Sequence, residues 1–142
     1  NNVCNSMIYG AALSGVQMSI ATPKEFQPDK SVVKVSQNLT DIELTTDPLK
    51  AAKNADVIVT DTYSSIHNVD PKRMKKFLPK YQVNDKIMDI ADKNAIFLHC
   101  LPAKREQEVT SSVIDGSQSF VWDEAENRLH TQKALLCALL HA

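Results

Sequence analysis

Polar and apolar positions along this chain follow two periods. Val57-Ile58-Val59-Thr60 and Ile96-Phe97-Leu98-His99 are short, unbroken β-branched or aromatic runs, the pattern of strands covered on both faces. Val16 to Ala21 alternates in strand fashion up to Thr22-Pro23. Ile42 to Thr45 reads as another strand, and Phe120-Val121-Trp122 as a last one. Between these lie helical stretches with start and stop signals. Asn5 to Ser14 is stopped by Gly15, and Asp29 caps a helix through Val32, Val33, Val35 and Leu39. Asp47-Pro48 and Asp70-Pro71 each set a capping carboxylate before a proline at the first helical position. They open one helix through Ala51-Ala52 and another from Lys72 to Phe77. Asn84 caps a helix through Ile87, Met88, Ile90 and Ala91, Val109 to Ile114 is short, and a long helix runs from Glu124 to His141. Alternating strands and helices with short connections predict an α/β fold, a doubly wound, Rossmann-like parallel sheet with helices on both faces.

One irregularity stands at the start. The chain opens on a helix cap, Asn1-Asn2, whereas a doubly wound domain normally opens on a strand. The expectation is a single domain over residues 1–142 whose first strand lies upstream of Asn1.

Composition narrows the function classes. The chain has 142 residues, 23% of them charged, and a net charge of −1, so it offers no basic surface for nucleic acid. No apolar run approaches the length of a membrane span. Cys4, Cys100 and Cys137 are far apart and form no CxxC pair. The histidines His67, His99, His130 and His141 lack metal-ligand spacing, so neither a zinc site nor a disulfide framework is expected. A reducing, cytoplasmic setting follows from that cysteine usage. Gly10, Gly15 and Gly116 are the only glycines, too few and too scattered for a GxGxxG dinucleotide fingerprint. No cofactor is expected.

Polar chemistry collects at strand ends. Asp61 follows Val57–Thr60, His99-Cys100 closes the Ile96 run before Pro102, and Asp123-Glu124 follows Phe120–Trp122. In a parallel sheet these ends face one edge, the edge where ligands bind. Singly, each residue has a plainer reading: a turn-capping aspartate, a core histidine, a small buried cysteine, helix-capping asparagines. Together they predict an active site. Arg128 lies early in the last helix, where a cation is unfavourable without a partner. Either an ion pair with Glu124 at i, i+4 or an anionic ligand satisfies it.

At these residues the chain resembles the carbamoyltransferases, and among them the ornithine carbamoyltransferases. The matching pieces run in the family's order over nearly the whole chain: Asn1-Asn2-Val3 with Asn5-Ser6, Asp61-Thr62-Tyr63, Tyr81-Gln82-Val83-Asn84, His99-Cys100-Leu101-Pro102, Glu108-Val109 and Asp123 to Leu129. Aspartate carbamoyltransferases carry proline where Cys100 stands and are disfavoured. The resemblance implies the amino-acid-binding domain of an enzyme that transfers a carbamoyl group from carbamoyl phosphate to L-ornithine, giving citrulline and phosphate. It also implies a carbamoyl-phosphate domain upstream and a homotrimer.

The resemblance further implies site roles. Asn2 and Asp61 hold the α-amino and carboxylate groups of ornithine, with Ser65 assisting and Ile66 as an apolar wall. Cys100 lies beside the reacting amine through a polarisable, ionisable sulfur. The Leu101 carbonyl, with His99 and Cys100, receives the carbamoyl NH2, and Arg128 faces carbamoyl phosphate. One segment departs from the family: Ser65-Ile66-His67 stands where it has Ser-Met-Gly. Isoleucine is stiffer than methionine and histidine lacks glycine's backbone freedom. Putrescine or N-acetylornithine as acceptor therefore stays open, as does a non-catalytic binding or regulatory module of the same fold.

Overall fold

The computed structural model describes residues 1–64 and 70–141. Its elements are α1 (Asn2–Ser14), β1 (Met18–Ala21), a 3-10 turn (Lys24–Phe26), α2 (Lys30–Ser36), β2 (Ile42–Thr45), α3 (Pro48–Ala52), β3 (Val57–Thr60), α4 (Pro71–Phe77), α5 (Asp85–Ile90), β4 (Ile96–His99), α6 (Ser111–Ile114) and α7 (Val121–Leu140). The predicted caps form. Asp29, Asp47 and Asp70 accept from the amides of Ser31, Leu49 and Lys72 at 2.7, 3.0 and 2.9 Å, and Asn84 accepts from Ile87 at 3.2 Å. Gly15 ends α1 at φ 69°, a left-handed turn that glycine adopts without penalty.

The parallel α/β class is borne out. Its strands form two parallel pairs, β1 with β2 and β3 with β4, the second registering Val57 against Ile96 and Thr60 against His99. Between the pairs opens a groove of about 770 Å³, lined by Met18, Ser19 and Ala21 on one side and Val57 to Thr60 on the other. Here an expectation is corrected. β3 is not covered on both faces: Ile58 is buried, but Val57 and Val59, which alternate to the opposite face, are 43% and 37% exposed and line the groove.

A second correction concerns Phe120–Trp122, which is not a strand. Pairing beside β4 shrinks to one parallel bridge, with the Phe97 amide donating to Gln118 and the Phe120 amide to the Phe97 carbonyl. Val121 and Trp122 belong to α7, whose first turn carries Asp123 and Glu124. Those acids, followed by helix-forming Ala125-Glu126, favour a helix start over a further strand.

Three apolar clusters support the fold. Ile8, Ile20, Val32, Val33 and Ile42 join α1 and α2 to the first pair. Ile58, Ile87, Phe97, Val109 and Val121 fill the core around the second pair. Tyr63, Phe77 and Tyr81 form an aromatic group in which Tyr63 and Phe77 stack at 4.6 Å between ring centroids.

Candidate active site at the carboxyl edge of the β3–β4 pair

β3 and β4 run parallel and stop together, so the residues after them, Asp61 and Cys100, emerge side by side. The Cys100 thiol donates to Asp61 Oδ1 at 3.4 Å, within reach for sulfur. Oδ1 also accepts the Thr62 amide at 2.7 Å, and Oδ2 accepts the Asn1 side-chain amide at 2.8 Å. Asn1 in turn caps α1 by accepting from the Cys4 amide at 2.8 Å. The start of α1 is thereby tied to the ends of both strands. Downstream, Tyr63 holds the chain by donating its hydroxyl to the Tyr81 carbonyl from within the aromatic cluster.

The environment of Cys100 opposes ionisation of its sulfur. Although the residue is exposed at the surface, partial desolvation of its sulfur acts first. The Asp61 carboxylate then adds to it, with Glu124 behind, and the thiol is pushed up to about 11. It is a neutral donor at neutral pH. Cys4 is likewise raised, by burial.

β4 ends in a tight hook. The His99 ring is fully buried and its Nδ1 accepts the Leu101 amide at 2.9 Å. Leu101 adopts φ 52°, a left-handed conformation costing roughly 1 kcal/mol for a residue with a Cβ. The His99 amide donates to Glu124 Oε2 at 2.9 Å, which binds the first turn of α7 to the same edge. Glu108, fully buried, accepts the Lys104 amide at 2.6 Å through Oε1. The same oxygen lies 3.3 Å from His99 Nε2, too long or oblique for a well-formed hydrogen bond.

The structure thus brings Asp61 and Cys100 into contact, with His99 and Leu101 in the adjoining hook. Asn2 is exposed in the first turn of α1, and it is Asn1 that reaches Asp61. Arg128 is exposed on α7, one turn beyond Glu124, and among the described residues it has no ion pair. The alternative of an intrahelical pair with Glu124 is not formed; that carboxylate accepts the His99 amide through Oε2. Ser65 and Ile66, with His67, lie outside the described residues.

Sequence reasoning missed the structural parts played by Glu108 and Glu124. Glu108 carried no local signal, since it lies in the polar run Lys104 to Glu108; the signal for Glu124 was its place two residues after a strand-like run. Among the described residues no three His, Cys, Asp or Glu side chains converge to hold a metal ion, and no helix is long and apolar enough to cross a membrane. Chemically, the edge offers a carboxylate, a neutral thiol and a main-chain hook with a fixed peptide plane. Those groups suit an amine-bearing polar molecule better than a hydride or metal-bound ligand.

Comparison with known proteins gives the same direction. Residues 1–139 match the family "Aspartate/ornithine carbamoyltransferase, Asp/Orn binding domain". An ornithine carbamoyltransferase of Cenarchaeum symbiosum is 60% identical over 139 residues, covering 98% of this chain and 46% of that protein. Among solved structures, the anabolic ornithine carbamoyltransferase of Campylobacter jejuni superposes with a TM-score of 0.90 at 34% identity, covering 98% of this chain and 48% of that one. The ornithine carbamoyltransferase of Pyrococcus furiosus gives 0.87 at 43% identity, over 93% of this chain and 44% of that one. The chain spans about half the length of the curated relatives it matches. It belongs to the aspartate/ornithine carbamoyltransferase family, in the Asp/Orn-binding domain.

Proposed function

We propose that this chain is the amino-acid-binding half of an ornithine carbamoyltransferase, which makes citrulline and phosphate from L-ornithine and carbamoyl phosphate, or runs the reverse reaction. The observation that carries this reading is the joining of Asp61, Cys100 and Asn1 beside the Leu101 hook, at the sheet edge where a parallel α/β fold binds ligands. The relatives described above are named ornithine carbamoyltransferases, which supports ornithine as acceptor.

In this reading Asp61 and Asn2 take the α-ammonium and α-carboxylate of ornithine, with Ser65 and Ile66 completing the wall. The neutral Cys100 thiol stands beside the δ-nitrogen. The Leu101 carbonyl, flanked by His99 and Cys100, receives the carbamoyl NH2, and Arg128 meets the phosphate. The δ-nitrogen bonds to the carbamoyl carbon, the carbon–oxygen bond to phosphate breaks, and the amine loses its proton. A lysine-like amine has a reference pKa of ~10.4, so the neutral form must be selected or generated at the site. With Cys100 held as a thiol, the sulfur is a polar wall rather than the base. Catalysis then rests on orienting two substrates and stabilising the oxyanion.

The same reading supplies what this half lacks. A carbamoyl-phosphate domain lies elsewhere in the full-length protein, which is a cytoplasmic homotrimer. A strand preceding Asn1 fills the groove between β1 and β3, and that groove's facing edges support it. Substitution of Ser-Met-Gly by Ser65-Ile66-His67 favours testing other amines. The full-length protein should carbamoylate ornithine, in preference to putrescine and N-acetylornithine, in a citrulline assay under equal conditions. Turnover of another amine with none of ornithine overturns the acceptor. No turnover of any amine leaves a binding module.

A further inference from the structure

Glu108 is the least expected residue near the site. It is fully buried, yet it is a carboxylate whose Oε2 finds no hydrogen-bond partner among the described residues. Burying an ionisable group in this way is costly, and a buried acid–histidine pair is weak evidence for stability. Its location gives it a different use. Glu108 is anchored through its main chain, since its carbonyl accepts the Val83 amide at 2.9 Å and the Thr110 amide donates back to Val83 at 2.9 Å. From that fixed base, Oε1 holds the Lys104 amide at 2.6 Å and faces His99 Nε2 at 3.3 Å. One oxygen therefore touches both ends of the hook that runs from His99 to Lys104.

The opposite side of the ring completes the chain. Nδ1 accepts the Leu101 amide, so Nδ1 carries no proton and the ring proton sits on Nε2, facing the carboxylate. That contact fixes the peptide plane between Cys100 and Leu101 and keeps Leu101 in its left-handed conformation at φ 52°. The Leu101 carbonyl belongs to the next peptide plane, toward Pro102, and takes its direction from that held amide through the left-handed turn at Leu101. We infer that Glu108 is a positioning residue, which acts through the His99 ring to orient the Leu101 carbonyl toward the carbamoyl group. This inference rests on the carbamoyltransferase reading for the identity of the group met by that carbonyl; the Glu108–His99–Leu101 relay itself does not.

The full-length protein tests both parts. Nitrogen-15 NMR of the histidines in the wild type should report His99 protonated on Nε2 alone. His99 carrying its proton on Nδ1, or on both nitrogens, overturns the relay whatever the activity. Glu108→Gln keeps an acceptor oxygen and Glu108→Leu removes it. Glu108→Leu should lower kcat roughly ten- to a hundredfold and raise KM for carbamoyl phosphate, with KM for ornithine unchanged. Glu108→Gln should restore most of that loss. Equal activities for the two variants, or losses that only follow the fraction of folded protein, overturn the positioning role. Should Glu108→Leu fail to fold, the wild-type tautomer and the Glu108→Gln kinetics still decide. An Nε2-protonated His99 in a protein that transfers no carbamoyl group sinks the functional reading and leaves the relay standing.

Discussion

The carboxyl edge of β3–β4 and the body of α7 lie close in the molecule and differ in almost every respect. At the edge, the polar groups are gathered by short contacts: Asp61 holds Asn1, Thr62 and Cys100, and the His99 ring lies between Leu101 and Glu108. Beneath it Phe97, Val109 and Val121 are fully buried. On α7, everything after Glu124 is exposed, including Leu129, Leu135, Leu136 and Leu139, and Arg128 has no ion pair among the described residues. They are joined at the start of α7, where Val121 is buried beside Phe97 and Glu124 accepts the His99 amide. The amino-acid side of the proposed site is organised by this chain's own core. The phosphate side, represented by Arg128, is merely pointed in a direction by a helix.

That contrast makes the largest expected effect a matter of stability. Phe97 sits in β4 with no exposed surface and packs in the cluster under Asp61 and Cys100. Phe97→Ala should cost about 3–5 kcal/mol, the range for deleting a fully buried aromatic side chain. Denaturant unfolding of the 142-residue chain measures this. A loss under about 1 kcal/mol would mean that the edge is not held by the core beneath it.

A smaller effect tests the edge's electrostatics. The Asp61 carboxylate raises the Cys100 thiol by its charge and by accepting its hydrogen bond. Asp61→Asn should lower the thiol's pKa, so alkylation of Cys100 at pH 8, followed by mass spectrometry, should quicken several-fold. An unchanged rate would show that desolvation alone sets the thiol. Linkage has the same sign. Because the folded pKa is raised from 9.0 to about 11, the neutral thiol favours the fold below pH 9, and that contribution fades as pH climbs through about 11.

The same contrast explains what could be read from the chain. β2, β3, β4 and α3 fall where hydrophobic runs and Asp-Pro signals place them, because those cues are local. The pairing of Asp61 with Cys100 was also legible, since parallel strands in register must bring their ends together. Phe120–Trp122 misled because aromatic and β-branched residues fit a strand as well as the first turn of a helix. The acids that follow decided between them. The contact of Asn1 with Asp61 was not foreseen, because it depends on the cap residue, still outside α1, turning its side-chain amide toward the end of β3. Glu108 was illegible for another reason. Its contact with His99 spans nine positions and depends on how residues 99–104 fold back, which no periodicity encodes.

The smallest expected effect bounds the other side of the comparison. Leu136 lies in the last third of α7 and is 60% exposed, so trimming it removes little buried surface. Alanine is at least as good a helix former as leucine, which cancels part of what remains. Leu136→Ala should therefore change the unfolding free energy of the 142-residue chain by no more than about 0.5 kcal/mol. A loss of about 2 kcal/mol would place α7 against apolar surface in solution. Arg128 would then stand on a packed support like that of Asp61, and the division between an organised amino-acid side and an open phosphate side would disappear.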